Sequence, residues 1–123
     1  MEIMIVDDEP QVAEVLAKSL NRQGHRTTVV HSGPEALDRL RTTAPDAMFL
    51  DVSMPGMNGL DVMQEVKRLK PTLAVVVITG HATADEIERV KQLGAVDVIQ
   101  KPSALNHYHR AIERLTSTVT PRP

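Results

Sequence analysis

The chain has 123 residues, no cysteine and a formal net charge of -2: enough length for one domain with its own hydrophobic core, and no thiols for a disulfide framework or a thiolate metal site. Lys and Arg are scattered, and Phe49 and Tyr108 are the only aromatics, so there is neither a phosphate-tracking patch nor a platform for stacking bases, and direct nucleic-acid binding by this chain is not expected. The opening Met1-Glu2-Ile3-Met4 lacks the basic stretch and cleavage site of a secretory signal, and the apolar runs are far too short for a bilayer, so a soluble cytoplasmic protein without membrane contact is expected.

The first apolar run, Ile3 to Val6, ends in two adjacent carboxylates, Asp7 and Asp8. It is unalternated and aliphatic, as a strand covered on both faces requires. Val12, Leu16 and Leu20 then share one helical stripe that closes before Gly24, where a helix C-terminal glycine belongs. A second strand, Thr28 to Val30, leads to Ser32 and Glu35, spaced as a capping box that opens a helix at Pro34. The third strand, Ala47 to Leu50, ends at Asp51, and Pro55, Gly56 and Gly59 then turn the chain sharply. Val62, Val66 and Leu69 stripe the next helix. The strand Leu73 to Ile78 ends at Thr79, and Ile87, Val90 and Leu93 stripe a helix that stops at Gly94. Val96 to Ile99 is the fifth strand, Lys101 and Pro102 follow it, and Leu105, Tyr108, Ile112 and Leu115 mark a last helix. Residues 1–117 therefore read as one domain; 118–123, the end of the polar, proline-rich TSTVTPRP, read as a disordered tail or the start of a linker.

Alternating strands and helices argue for an α/β architecture, a parallel sheet with helices on both faces and right-handed crossovers. Ligands of such sheets bind beyond the carboxyl ends of the strands. Asp7 and Asp8, Asp51, Thr79 and Lys101 all fall at such ends. Carboxylates gathered in one pocket resist joint ionisation unless a cation compensates, and an all-oxygen cluster suits Mg²⁺ better than zinc. The matching chemistry is phosphoryl transfer. Asp51 is the candidate nucleophile, forming an acyl phosphate; Lys101 offers a point charge, Thr79 a hydroxyl donor, and backbone groups near Ser53 can face the crevice.

Four blocks, "VDDEP", "FLDVSMPGMNGLD", "VVVITGHA" and "VIQKP", resemble in order and interval the receiver domain of two-component response regulators, over nearly the whole chain. The resemblance implies a flavodoxin-like, doubly wound (βα)5 fold with strand order 2-1-3-4-5. It implies that Asp51 accepts a phosphoryl group from a histidine kinase or phosphotransfer protein. Asp8 would ligate Mg²⁺ directly and Asp7 through water, with Asp51 itself and the backbone carbonyl of Ser53 in the same coordination shell. Lys101 would pair with the phosphoryl oxygens and Thr79 would move to meet one of them. A cis Lys101-Pro102 bond is implied too. Such a domain is no enzyme toward other substrates: it catalyses only its own phosphorylation and dephosphorylation. Its signal would leave through the face of helix 4, strand 5 and helix 5, with a phosphorylation-linked homodimer through that face. Ser53 and His81 stand where relatives tune the lifetime of the phosphoryl bond.

Two positions depart from the pattern. Val98 stands where the family usually has Tyr or Phe, and Ser103 where many relatives carry Phe. Both bear on output more than on phosphorylation. Two other readings stay open: a pseudo-receiver, an interaction module regulated without phosphate, and a haloacid dehalogenase-type phosphatase. The latter usually carries a second Asp two residues after its nucleophile, where this chain has Ser53. No G-x-G-x-x-G or Walker motif follows any strand.

Overall fold

In the three central strands successive side chains turn to opposite faces of the sheet, and both faces are covered. A computed structural model describes residues 1–53, 58–80, 83–101, 110–111 and 113–115. The elements are β1 (Glu2–Val6), α1 (Pro10–Arg22), β2 (Arg26–Val30), α2 (Gly33–Thr42), β3 (Ala47–Asp51), α3 (Gly59–Leu69), β4 (Ala74–Thr79), α4 (Ala84–Gln92) and β5 (Asp97–Gln100). All strands are parallel, in the order β2-β1-β3-β4-β5.

Two cores result, one on each face. Ile3, Ile5, Phe49, Val76 and Ile78 pack with Ala13, Leu16 and Leu20 of α1 and with Ala111 and Leu115 of a helical stretch near the end of the chain. Met4, Val6, Met48, Leu50, Val75 and Val77 pack with residues of α2, α3 and α4, among them Leu40, Met63 and Val90. Of the predicted last stripe, Leu115 is buried, whereas Leu105, Tyr108 and Ile112 lie outside the described residues, as do 116–123. Among the described residues no helix is long and apolar enough to cross a membrane.

The expected double coverage fails at the edges. In β2, Arg26 and Thr28 are exposed, and in β5 only Ile99 is fully buried. An edge strand has one neighbour, and the helices sit over the middle of the sheet, so its outer residues meet water. The capping box forms by half. Ser32 Oγ accepts the Glu35 N–H at 3.2 Å, but α2 starts at Gly33, one residue earlier than predicted, and the Glu35 carboxylate takes the N–H of His31 rather than that of Ser32.

Gly24 and Gly94 adopt the left-handed conformation expected of helix C-terminal glycines, with φ of 91° and 106°. They differ in surroundings. A β-carbon on Gly24 would meet nothing within 4 Å, whereas one on Gly94 would lie 2.8 Å from Cε of Lys67. That lysine is pinned, its Nζ donating to the Leu73 carbonyl at 2.8 Å. Urea unfolding should therefore show Gly24→Ala losing about 1 kcal/mol from backbone strain alone, and Gly94→Ala about 2 to 3 kcal/mol. Equal losses would mean that Lys67 moves aside freely.

Candidate functional site

The strand order reverses between β1 and β3, and the crevice there lies beyond their carboxyl ends. Val6 is in register with Leu50, so the next residues, Asp7 and Asp51, stand level on adjacent strands; Asp51 in turn pairs with Ile78, next to Thr79. Register thus draws together residues far apart in the chain. Asp7 and Asp51 are each only 1% exposed.

Both oxygens of Asp51 are engaged. Oδ1 accepts the backbone N–H and the hydroxyl of Ser53, each at 2.8 Å. The same hydroxyl accepts the N–H of Gly80 at 3.1 Å, which ties the β3–α3 loop to the end of β4. Oδ2 takes the ammonium of Lys101 at 2.8 Å. Gly59, at the start of α3, fits only as glycine, because a β-carbon there would overlap Cβ and the carbonyl oxygen of Val52.

Lys101 is the hub of the charges. Its side chain is 13% exposed, and Nζ also contacts Glu9 at 2.9 Å and Asp7 Oδ2 at 3.0 Å. Its backbone N–H donates to the Thr79 carbonyl at 2.7 Å, which fixes where the side chain starts. Burial by itself would lower the pKa of this ammonium, but the hydrogen bonds it donates to Asp51, Glu9 and Asp7 outweigh that and hold it well above the ordinary lysine value.

Asp7 has one satisfied and one unsatisfied oxygen. Oδ1 accepts the Glu9 N–H at 2.9 Å. Oδ2 is buried and has no hydrogen-bond partner among the described residues, the Lys101 ammonium lying near it but outside hydrogen-bonding geometry. Loss of hydration raises the Asp7 pKa, and the charge of Asp51 adds to this, against the Glu9 N–H and Lys101. The backbone of Asp7 is held by a bond to Val30 and by Nδ1 of His31, 3.0 Å from its carbonyl oxygen.

Carboxylate oxygens of Asp7, Asp8, Glu9 and Asp51 all lie within 4.8 Å of one another. One ammonium does not balance them. The set contains only hard oxygen donors, one of them Oδ2 of Asp7, which accepts no hydrogen bond among the described residues, and this fits a divalent cation of the Mg²⁺ type. The sequence had singled out Asp7, Asp8 and Asp51 but not Glu9, whose only signal was its place in the same acidic run, nor His31.

A pH dependence follows with a definite sign. Because the folded pKa of Asp7 lies above its unfolded value near 3.8, the folded chain binds this proton more tightly. The stability that comes with the protonated form is present at low pH and lost as pH rises through the raised pKa. In chelator at pH 7, Asp7→Asn should melt higher than the unchanged chain by a few degrees, corresponding to about 1 kcal/mol. Acidification should close the gap; a gap constant with pH would show that charge is not its cause.

Thr79 is 2% exposed, and its hydroxyl makes no hydrogen bond among the described residues. It lines a cavity of about 760 Å³ with Val52, Leu60, Val90 and the half-buried Val98. His81 and Pro102, with the peptide bond between Lys101 and Pro102, lie outside the described residues, as does Ser103.

Comparison with known proteins places this arrangement among relatives. Residues 3–113 match the response regulator receiver domain family. The DNA-binding transcriptional regulator NtrC of Klebsiella pneumoniae is 35% identical over 113 residues, 92% of this chain but 24% of that protein. Sporulation initiation phosphotransferase F of Bacillus subtilis is 29% identical over 92% of this chain and 91% of its own length. The crystal structure of the receiver domain of NtrX from Brucella abortus superposes with a TM-score of 0.86 at 32% identity, covering 94% of this chain and 98% of that one. The chain thus spans about a quarter of the length of the NtrC proteins it matches. With the family match over nearly its whole length, the parallel sheet in order 2-1-3-4-5 and the acidic crevice at its carboxyl edge, the chain belongs to the response regulator receiver domains of two-component systems.

Proposed function

We propose that Asp51 accepts a phosphoryl group from the phosphohistidine of a histidine kinase or phosphotransfer protein. One carboxylate oxygen of Asp51 attacks phosphorus in line, the P–N bond breaks, the imidazole leaves and an acyl phosphate remains. The observation that carries this reading is the convergence on one buried carboxylate of a lysine ammonium and two donors from Ser53, each at 2.8 Å. The Ser53 donors hold Asp51 in one orientation. Lys101, protonated throughout the physiological range, meets the negative charge on the transferred oxygens.

Asp7, Asp8, Asp51 and the Ser53 backbone carbonyl would hold a Mg²⁺ ion, which supplies neutralisation of phosphoryl charge when bound. Thr79, whose hydroxyl has no partner among the described residues, is available to donate to a phosphoryl oxygen. The acyl phosphate then favours a minor arrangement of the face made by α4, β5 and the helical residues near the end of the chain. Output passes through Thr79 and Val98 without a swinging ring, and a phosphorylation-linked homodimer forms through that face. Ser53 and His81 set how long the bond lasts. The domain, residues 1–117, acts only on its own Asp51, in the cytoplasm, and leaves DNA binding to other chains or domains.

Intact mass after incubation with acetyl phosphate tests this. One phosphoryl adduct is expected with Mg²⁺ and none in excess chelator. Absence of an adduct under every condition, together with absence of magnesium binding, would replace this reading with a phosphate-independent interaction module.

A further inference from the structure

We infer that the cavity between β4, β5 and α4 binds a small neutral phenol and that its occupancy opposes phosphorylation of Asp51; the second clause rests on the function proposed above. Val77 and Val98 are register partners on neighbouring strands, and Thr79, two residues beyond Val77, faces the same side. Leu60 of α3 and Ile87 and Val90 of α4 flank the space beside them, which amounts to about 760 Å³ and opens to solvent. That is the size of small-molecule sites, which are characteristically apolar with a few placed polar groups. The volume persists because both floor residues are short and branched and no ring projects from position 98.

Beside Asn58, whose Oδ1 caps α3, the polar group on the floor is the Thr79 hydroxyl. It is 2% exposed and makes no hydrogen bond to another described residue, so a ligand seated in the cavity with a donor or acceptor at that point can bond it. The Glu86 carboxylate also lines the cavity, and no cationic side chain does among the described residues. Anionic ligands are therefore disfavoured, and an uncharged ring bearing one hydroxyl matches both walls and floor. The hydroxyl of Thr79 can serve the ring or a phosphoryl group on Asp51, but not both. Two ligands sharing one group are negatively linked, and the linkage is reciprocal.

The test is a titration of the whole chain, without phosphodonor, with p-cresol, toluene and benzoate, followed by NMR of the Val77, Ile87 and Val98 methyl groups. Saturable shifts are expected with p-cresol, affinity about fivefold weaker with toluene, and no binding of benzoate. Thr79→Val should erase the difference between p-cresol and toluene, and Ile87→Trp, which fills the cavity, should abolish binding. Absence of saturable shifts in the unchanged chain, or binding indifferent to Ile87→Trp in a folded variant, overturns the site. Equal affinity for p-cresol and toluene overturns the role of Thr79. With acetyl phosphate and Mg²⁺ added, p-cresol should slow adduct formation. An unaffected rate overturns the antagonism, whereas binding in a chain that takes up no phosphoryl group supports the cavity and overturns the function assigned to Asp51.

Discussion

Asp51→Asn takes up no phosphoryl group from acetyl phosphate and melts within a few degrees of the unchanged chain. The amide has the size and shape of the carboxylate, and its oxygen can keep both bonds from Ser53. It lacks the nucleophilic oxygen, so no acyl phosphate forms. Removing a carboxylate from most buried sites would strand its partner and cost 3 kcal/mol or more, to an order of magnitude. Here Lys101 retains Asp7 and Glu9, and the cluster has one negative charge fewer to reconcile with burial. Intact mass and thermal unfolding on the same sample separate the two effects. An adduct that survives the substitution would move the acceptor to another carboxylate, with exposed Asp8 the first to examine.

Lys101→Met loses phosphorylation while gaining affinity for the metal. The ammonium sits 2.8 Å from Asp51 and 3.0 Å from Asp7, against the same carboxylates that face the acidic cluster. It therefore neutralises charge that a divalent cation would otherwise neutralise alone, and repels that cation as well. Without it, Mg²⁺ should bind tighter. The rate of adduct formation at saturating Mg²⁺ should still fall by about two to three orders of magnitude, the usual cost of removing one group aimed at developing charge. Methionine keeps the apolar stem, so packing changes little. Calorimetric titration with Mg²⁺ beside timed intact-mass measurements checks both arms; weaker Mg²⁺ binding would mean that Lys101 organises the carboxylates rather than competing for them.

The central strands were legible because double burial leaves its mark directly in composition: Ile3 to Val6, Ala47 to Leu50 and Val75 to Ile78 have no room for a polar face. The edge strands were legible as strands but not as half-exposed ones, since Thr27, Thr28 and Val29 have high strand propensity whether or not a helix covers them. Asp7, Asp8, Asp51, Thr79 and Lys101 could be picked out because each lies within two residues of the end of an apolar run. Glu9 could not, because an acid just before Pro10 reads equally well as the start of a helix. The His31 ring on the Asp7 carbonyl is a contact across 24 residues with no local pattern. The crowding of Gly59 against Val52 and the space beside Val98 come from how helices settle on the sheet, so one sequence read alone shows only a turn glycine and an unusual valine.

The short last strand of the sheet should also set how long the acidic pocket stays closed. β5 has four residues, one neighbouring strand and a single fully buried side chain. Short edge elements open far more often than the whole domain unfolds. Lys101 continues directly from β5, so fraying of that strand is expected to withdraw its ammonium from Asp7 and Asp51 while β1 and β3 stay paired. The backbone amide of Ile99, followed by exchange into deuterated solvent, is thus a clock for an opening that uncovers the acceptor without melting the fold.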